Sequence, residues 1–250
     1  QFYAESAGSR CVEKTKGGRK RMKKKVLLIA GHGEGDPGAV SKWGKEADLA
    51  RELLMRILPF IDQIVLDPEV YDMEKDCYQQ TKKGKGPDYG DQDFILEIHF
   101  NAKHKKDEDG DGVFTGTGGY IHSGADPIVA EAMIDKIGSL GFQKWCLCET
   151  DELCNCNAAW NAGTPYFLLE TVFLDDGDDM QFYNRKKEEV AKSIADVLNE
   201  KVGEKQSVSD PKEEKKMYRV QCGAFLKRTN AEVLKKQLEQ AGFSAIIVEK

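Results

Sequence analysis

A chain of 250 residues can hold one large hydrophobic core, or one core and a small appendix. Hydrophobic residues make up 40% of it, an ordinary share for a globular protein, and no apolar run approaches the roughly 18 residues that a membrane-spanning helix needs. The formal net charge is −6, and about −10 without residues 1–21, so we expect neither nucleic acid nor membrane insertion.

Residues 1–21 lack apolar periodicity and are interpreted as a tag or another non-native leader, with Met22 as the natural start. The apolar run after Lys25 is five residues long and leads into His32, whereas a secretory signal needs about 7–15 apolar residues. The sequence therefore predicts synthesis in the cytoplasm without a signal peptide.

Strand and helix patterns alternate along residues 22–202. Val26–Ala30 is a continuous apolar run, which is typical of a strand covered on both faces. Further predicted elements are a helix over 46–58, a strand over 63–66, a polar loop over 71–91, strands over 94–101 and 112–122, a helix over 128–140, a strand over 166–170 and a helix over 181–202. This order predicts an α/β domain with a mostly parallel sheet.

Three polar residues fall at the carboxyl ends of predicted strands, and a fourth begins the helix after the first strand. The residues are His32, His99, Glu170 and, on the helix, Glu46. Chemistry gathers at that edge of a parallel sheet, and two histidines with one glutamate form an established catalytic zinc set. His32, Glu46 and His99 are therefore candidate zinc ligands. Glu170 is the candidate group that moves a proton.

Taken singly, these residues have simpler explanations. A histidine that ends a strand, such as His99, is more often structural. Glu46 alone would be explained as an N-terminal glutamate favoured by the helix dipole. Glu97 and Asn101 lie on the same strand face as His99, so they are candidates to hold its second ring nitrogen or to contact substrate.

Four cysteines form two C-x-C pairs: Cys146, Cys148, Cys154 and Cys156. They could form a thiolate metal site, but structural zinc sites more often use spacings of two to four residues. The favoured interpretation is small apolar residues flanking a hairpin or loop, mostly as reduced thiols.

Two loop motifs resemble known ligand-binding loops only in part. The segment Gly31–Gly38 lacks the G-x-x-x-x-G-K-S/T pattern of a phosphate-binding loop. The segment Asp107–Gly112 begins like a calcium loop, but Gly118 stands where the closing glutamate should be. A solvated acidic turn is favoured there.

Four motifs together resemble the zinc-dependent N-acetylmuramoyl-L-alanine amidases of the amidase-3 type, over about residues 24–200. The motifs lie at 30–39 (AGHGEGDPGA), 45–50 (KEADLA), 97–102 (EIHFNA) and 169–174 (LETVFL). The resemblance implies an α/β fold with a six-stranded sheet and helices on both faces. It also implies zinc on His32, Glu46 and His99, with Glu170 as the catalytic acid and base. The implied reaction is hydrolysis of the amide between the lactyl group of N-acetylmuramic acid and L-alanine in peptidoglycan.

The chain departs from that family in three places. Glu97 stands where the family usually has a small residue, often serine, and Val172 where it usually has glycine. Residues 144–157 match no pattern of the family. These departures could alter substrate shape or stem-peptide preference, but they leave the four key positions intact.

The C-terminal part has a different composition. Residues 203–216 are polar and read as a linker. Residues 217–250 read as a strand–helix–strand segment that resembles half of a SPOR domain, a binder of peptidoglycan glycan strands. A lone half exposes strand edges, so we expect either a truncated domain or self-association with a second copy.

The leading hypothesis is a phage or prophage endolysin with zinc amidase activity, released through the membrane by a holin and acting on the bacterial cell wall. A zinc carboxypeptidase-like amide hydrolase with the same ligands is the first alternative. A non-catalytic cell-wall-binding protein is the second, although a proton-transferring Glu170 argues against it.

Overall fold

A computed structural model of the chain describes residues 23–103, 107–203, 228–240 and 247. The chain divides into two compact units between Gln206 and Ser207. Among the described helices, none combines the length and the apolar character needed to cross a membrane. The predicted leader and linker lie outside the described residues, apart from Gly203.

One six-stranded sheet organises the first unit, and its order is β4-β1-β5-β8-β6-β7. Its strands are β1 (Lys24–Ala30), β4 (Leu66–Val70), β5 (Phe94–Asn101), β6 (Thr117–His122), β7 (Lys144–Thr150) and β8 (Tyr166–Phe173), while β2 (Val40–Ser41) and β3 (Gly44–Lys45) form a separate two-stranded ribbon. Neighbouring strands run parallel, except that β6 is antiparallel to β8. The predicted mostly parallel six-stranded sheet is confirmed.

Helices cover both faces of this sheet. They are α1 (Glu46–Ile57), α2 (Cys77–Lys82), α3 (Ile128–Gly138), α4 (Cys154–Ala162) and α5 (Gly177–Val197), with 3-10 turns at Leu58–Phe60 and Tyr89–Asp91 and a π-helical end at Leu198–Gly203. Helices α1, α3 and α5 share the larger core on one face, and α2 and α4 share a smaller core on the other. The second unit contains α6 (Arg228–Gln240), where a helix is predicted, and the strands predicted on either side of it lie outside the described residues.

The alternation of side chains along strand β5 determines which of them can reach the site. Phe94, Leu96, Ile98 and Phe100 enter the larger core, as their alternation predicts. The other set points to the opposite face, and it includes His99. Because β5 pairs with β8 in parallel, His99 lies directly beside Glu170 at the carboxyl ends of both strands.

The strand predicted over 63–66 is wrong, because the strand begins at Leu66. Ile64 is 77% exposed and lies in a turn where its backbone N–H donates to Asp62 Oδ1 at 2.8 Å. Strand β4 contains Pro68, which lacks a backbone donor and is tolerated because β4 is an edge strand.

Two segments predicted as irregular contain regular structure. The polar stretch 71–91 includes α2, whose first turn is capped because Asp76 accepts from the backbone N–H of Gln79 at 3.1 Å. The cysteine-rich segment is strand β7 followed by helix α4 rather than a hairpin. In both segments, the side chains that face inward are identified only by their packing against the sheet.

A glycine allows the antiparallel strand to approach its neighbour. A Cβ at Gly119 would lie 2.1 Å from the carbonyl oxygen of Leu168 and 2.5 Å from the ring of Phe167. We expect Gly119→Ala to lower the free energy of unfolding by about 1–3 kcal/mol, the usual cost of overpacking. Chemical denaturation would measure the change, with Gly90→Ala as the control because its Cβ would approach no atom closer than 3.5 Å. Equal stabilities of the two variants would contradict this account of the β6–β8 contact.

Candidate metal centre

The loop after β1 holds His32 in a left-handed backbone conformation, with φ of 60°, which is costly for a residue with a Cβ. The Arg51 guanidinium, one helical turn and a half into α1, stabilises it. It donates to the carbonyl oxygens of Gly31 at 3.1 Å and of His32 at 3.0 Å. It also donates to the carbonyl of Met73 at 2.9 Å, which ties the loop to the segment after β4.

Glu46 begins α1 and is only 5% exposed. One of its oxygens, Oε2, accepts from the backbone N–H of Ala39 at 3.0 Å, and the other, Oε1, accepts from that of Phe100 at 3.1 Å. These bonds make a buried carboxylate tolerable. They also aim both oxygens away from the helix and toward the two histidines, so a helix-dipole role alone does not account for Glu46.

The three predicted ligands lie together. His32 Nε2 lies 3.1 Å from Glu46 Oε2, and His99 Nδ1 lies 2.8 Å from Glu46 Oε1. One donor atom from each residue falls within 4.8 Å of the other two. Two imidazole nitrogens and a carboxylate oxygen at this spacing fit a catalytic zinc site, which uses three protein ligands and leaves a position for water.

Each histidine is also held through its other ring nitrogen. His32 Nδ1 lies 3.0 Å from Asp36 Oδ2, and His99 Nε2 lies 3.0 Å from Glu97 Oε1. Carboxylates that orient the far nitrogen of a ligating imidazole are typical of metal sites. Both pairs leave the nitrogens that face Glu46 available to a metal cation.

The electrostatics of the cluster favour a cation. Burial alone would raise the pKa of Glu46, but hydrogen bonds from His32 and His99 outweigh it and hold that pKa well below its usual range. Burial likewise disfavours protonated His99, but Glu46 and Glu97 outweigh it and raise the pKa of this imidazole. Surplus negative charge in a buried pocket attracts a proton or, in its place, a metal ion.

Glu170 lies beside this cluster and differs from the other carboxylates. Its Oε2 is buried and has no hydrogen-bond partner among the described residues. Burial raises the pKa of Glu170 to about 7, with Glu46 adding to the rise and the two histidines opposing it. A carboxyl group with a pKa near neutrality can both accept and donate a proton during a reaction.

The two other candidates on β5, Asn101 and Glu97, differ in whether they contact the proposed ligands. Asn101 ends β5, where its Oδ1 accepts from the backbone N–H of Ala102 at 2.8 Å, and it makes no hydrogen bond to the three ligands within the described part of the chain. Glu97, by contrast, contacts His99 directly.

The possible thiolate cluster is not formed. Cys146 and Cys148, two residues apart in β7, form a disulfide, while Cys154 and Cys156 in α4 are free. No three cysteine sulfurs of the described ranges lie within 4.8 Å of one another. The first pair lies in strand β7 and the second in helix α4, so the two pairs are in different places in the fold.

A second acidic group lies apart from the centre, where Asp107, Asp176 and Asp178 bring carboxylate oxygens within 4.8 Å of one another. Asp176 Oδ1 caps α5 by accepting from the backbone N–H groups of Asp178 and Asp179, both at 3.1 Å. Backbone hydrogen bonds from Asp107 to Asp175 and from Gly177 to Asp107 join the acidic turn to the start of α5. The solvated acidic turn favoured by the sequence stays a prediction.

Four residues support the site without having been predicted from the sequence: Arg51, Asp36, Asn155 and Tyr166. Asp36 is four residues after His32 in the glycine-rich loop, and this spacing was a usable signal. The other three contact the site from positions distant in sequence from what they hold. Only the fold brings them there.

The comparisons with known proteins agree with this geometry. The family model of N-acetylmuramoyl-L-alanine amidase matches residues 26–200. A SPOR domain model matches residues 180–249, a range that begins inside α5 and so overlaps the first unit of the structure.

Individual relatives are distant. Probable autolysin PH of Staphylococcus aureus is 24% identical over 71% of this chain, which spans 39% of that protein's length. The endolysin of Bacillus phage SPP1 is 24% identical over 78% of this chain and 73% of the phage protein. The fold resembles the crystal structure of N-acetylmuramoyl-L-alanine amidase from Clostridium difficile 630, at 18% identity and a TM-score of 0.58, over 73% of this chain and 98% of that one. The family match spans most of the chain and contains every residue of the metal centre, so the chain belongs to the N-acetylmuramoyl-L-alanine amidase family.

Proposed function

We propose that this chain is a zinc-dependent N-acetylmuramoyl-L-alanine amidase that cleaves the amide between the lactyl group of muramic acid and L-alanine in peptidoglycan. The observation that carries the proposal is the convergence of His32, Glu46 and His99 beside Glu170, whose buried Oε2 has no hydrogen-bond partner among the described residues. Members of the family are generally zinc-dependent, and the SPOR match also points to peptidoglycan as the partner.

Zinc would be held by His32 Nε2, His99 Nδ1 and an oxygen of Glu46, the three groups that face one another. Bound there, zinc supplies Lewis-acid chemistry: it acidifies water and polarises a carbonyl. Asp36 and Glu97 keep the two imidazoles oriented by holding their far nitrogens.

The chain's own part in the reaction is proton transfer by Glu170. Ionised Glu170 accepts a proton from the attacking water as its oxygen forms a bond to the lactyl carbonyl carbon. Protonated Glu170 then donates that proton to the alanine nitrogen as the carbon–nitrogen bond breaks. The products are a lactyl carboxylate and a free alanine amino group, and the pKa of about 7 suits both half-steps.

The biological setting is proposed on the relatives' names alone. The match to a phage endolysin favours a lytic role on the cell wall, with the SPOR-like segment 217–250 as a wall-binding addition. A carboxypeptidase-like hydrolase would use the same ligands, so the products of the reaction must separate the two.

We expect purified cell walls to lose turbidity with this protein, to stop doing so with a chelator and to resume with added zinc. The digest should contain new N-terminal alanine and no new reducing sugar, because only the amide bond is cleaved. Labelling of new amino termini would measure this. Release of C-terminal amino acids would instead indicate a carboxypeptidase, and zinc binding without any cleavage would leave a wall-binding protein.

Glu170→Gln keeps the size of the side chain and removes its proton transfer. We expect the cleavage rate to fall by about 10²–10⁴-fold, with zinc content unchanged because Glu170 is not one of the three ligands. Rate and metal content should be measured on the same sample. Full lytic activity in this variant would rule out the assigned role of Glu170.

The place of His99 depends on Gly31, where a Cβ would lie 2.3 Å from the imidazole Cε1 atom. We expect Gly31→Ala to displace the ring and to weaken zinc binding by about tenfold or more, in the range of other disturbances around metal ligands. Competition with a chelator would measure the affinity. Gly90→Ala serves as control, and an affinity equal to the wild type's in Gly31→Ala would remove His99 from the ligand set.

A further inference from the structure

Glu97 is a buried carboxylate in the middle of the sheet. It is 4% exposed and lies two residues before His99 on the same face of β5. Its neighbours on that face include the apolar side chains of Ile29 and Leu168 in the adjoining strands. A charge in such a place is costly unless every oxygen is well bonded, and an apolar residue would fill it at lower cost.

Three donors satisfy this carboxylate. Oε1 lies 3.0 Å from His99 Nε2. Oε2 accepts from the Asn155 amide at 2.9 Å and from the Tyr166 hydroxyl at 2.6 Å. One oxygen thus faces the metal centre, and the other is fixed to α4 and β8.

The direction of these bonds is determined. An ionised carboxylate only accepts, so Asn155 must present its Nδ2 to Glu97 and its Oδ1 to Tyr89, whose hydroxyl donates to it at 3.0 Å. In the zinc-loaded protein, where a metal replaces any proton on Nδ1, the same acceptor keeps the remaining imidazole proton of His99 on Nε2. Its Nδ1, which faces Glu46, then offers a lone pair to a metal.

The geometry points to Glu97 as a positioning residue for zinc: it fixes the orientation and the tautomer of His99, and Asn155 and Tyr166 hold it in place. This inference rests on the proposed zinc site. Helix α4 then supports the metal site, because it follows β7 and brings Asn155 against the sheet within hydrogen-bond distance of Glu97.

Glu97→Gln tests the inference, because the amide has one accepting and one donating end. If its oxygen faces His99, its NH₂ group meets the Asn155 and Tyr166 donors. If its nitrogen faces His99, the proton of the imidazole moves to Nδ1 and blocks the metal. Either way we expect zinc affinity, measured by chelator competition, to fall by about 10–100-fold.

NMR of the imidazole nitrogens in the zinc-loaded protein provides a readout other than activity. The wild type should show His99 as a single tautomer with Nε2 protonated and Nδ1 bound to metal. Glu97→Gln should show a changed or mixed His99 signal. An affinity within about twofold of the wild type, with an unchanged His99 signal, would overturn the inference.

A matched pair on α4 keeps the test informative if Glu97→Gln does not fold. Asn155→Ala removes a donor to Glu97, whereas Asn157→Ala, two residues along, removes only a hydrogen bond to the carbonyl of Asp151. We expect weakened zinc binding and an altered His99 signal in the first variant alone, with thermal unfolding recorded for both. Equal zinc affinities in the two would argue that Glu97 and Asn155 serve stability only.

Failure of this inference is distinguishable from failure of the proposed function. If the wild type binds no zinc or cleaves no muramoyl amide, the proposed function is wrong. If the wild type does both and Glu97→Gln binds zinc equally well, only the role of Glu97 is wrong.

Discussion

The burial of the Glu46 carboxylate is the constraint to which the rest of the centre conforms. An ionised group removed from water must be met by donors, and here they come from the loop at Ala39, from strand β5 at Phe100 and from two imidazoles. The first helix, the loop before it and the third strand of the sheet must therefore be in register for the charge to be tolerated. The same register brings together the groups that a metal needs.

Close packing explains why the loop after β1 is rich in glycine. A side chain at Gly31 would occupy the space of the His99 ring, and one at Gly38 would lie 2.6 Å from both Glu46 Oε2 and His32 Cδ2. Gly38 also has a φ of 64°, which glycine adopts without strain. In this chain the glycines make room for imidazole and carboxylate groups rather than for a phosphate.

Much of this arrangement could be predicted because it depends on patterns within single segments. The alternation along 94–101 separates core residues from His99, and apolar runs place His32 and Glu170 at strand ends. What escaped prediction depends on contacts between distant segments. Helix α2 is short and polar, and only its Asp76 cap and the burial of Cys77 against the sheet identify it. Asn155 lies between two cysteines, and nothing in that segment reveals the carboxylate it contacts.

Because β6 runs in the opposite direction to β8, segments that hold none of the proposed ligands lie beside the candidate metal centre. Strands β1, β5 and β8 end at the edge of the sheet that carries the candidate metal centre, whereas β6 and β7 begin there, because β6 runs antiparallel to β8 and parallel to β7. The described parts of the connections into β6 and β7 therefore border the candidate metal centre without carrying any of its three proposed ligands, and the 38% exposed ring of Trp145 lies there, edge-on to Phe173. The residues that border the candidate centre can therefore change, by substitution or insertion, without any change to the three proposed ligands or to Glu170.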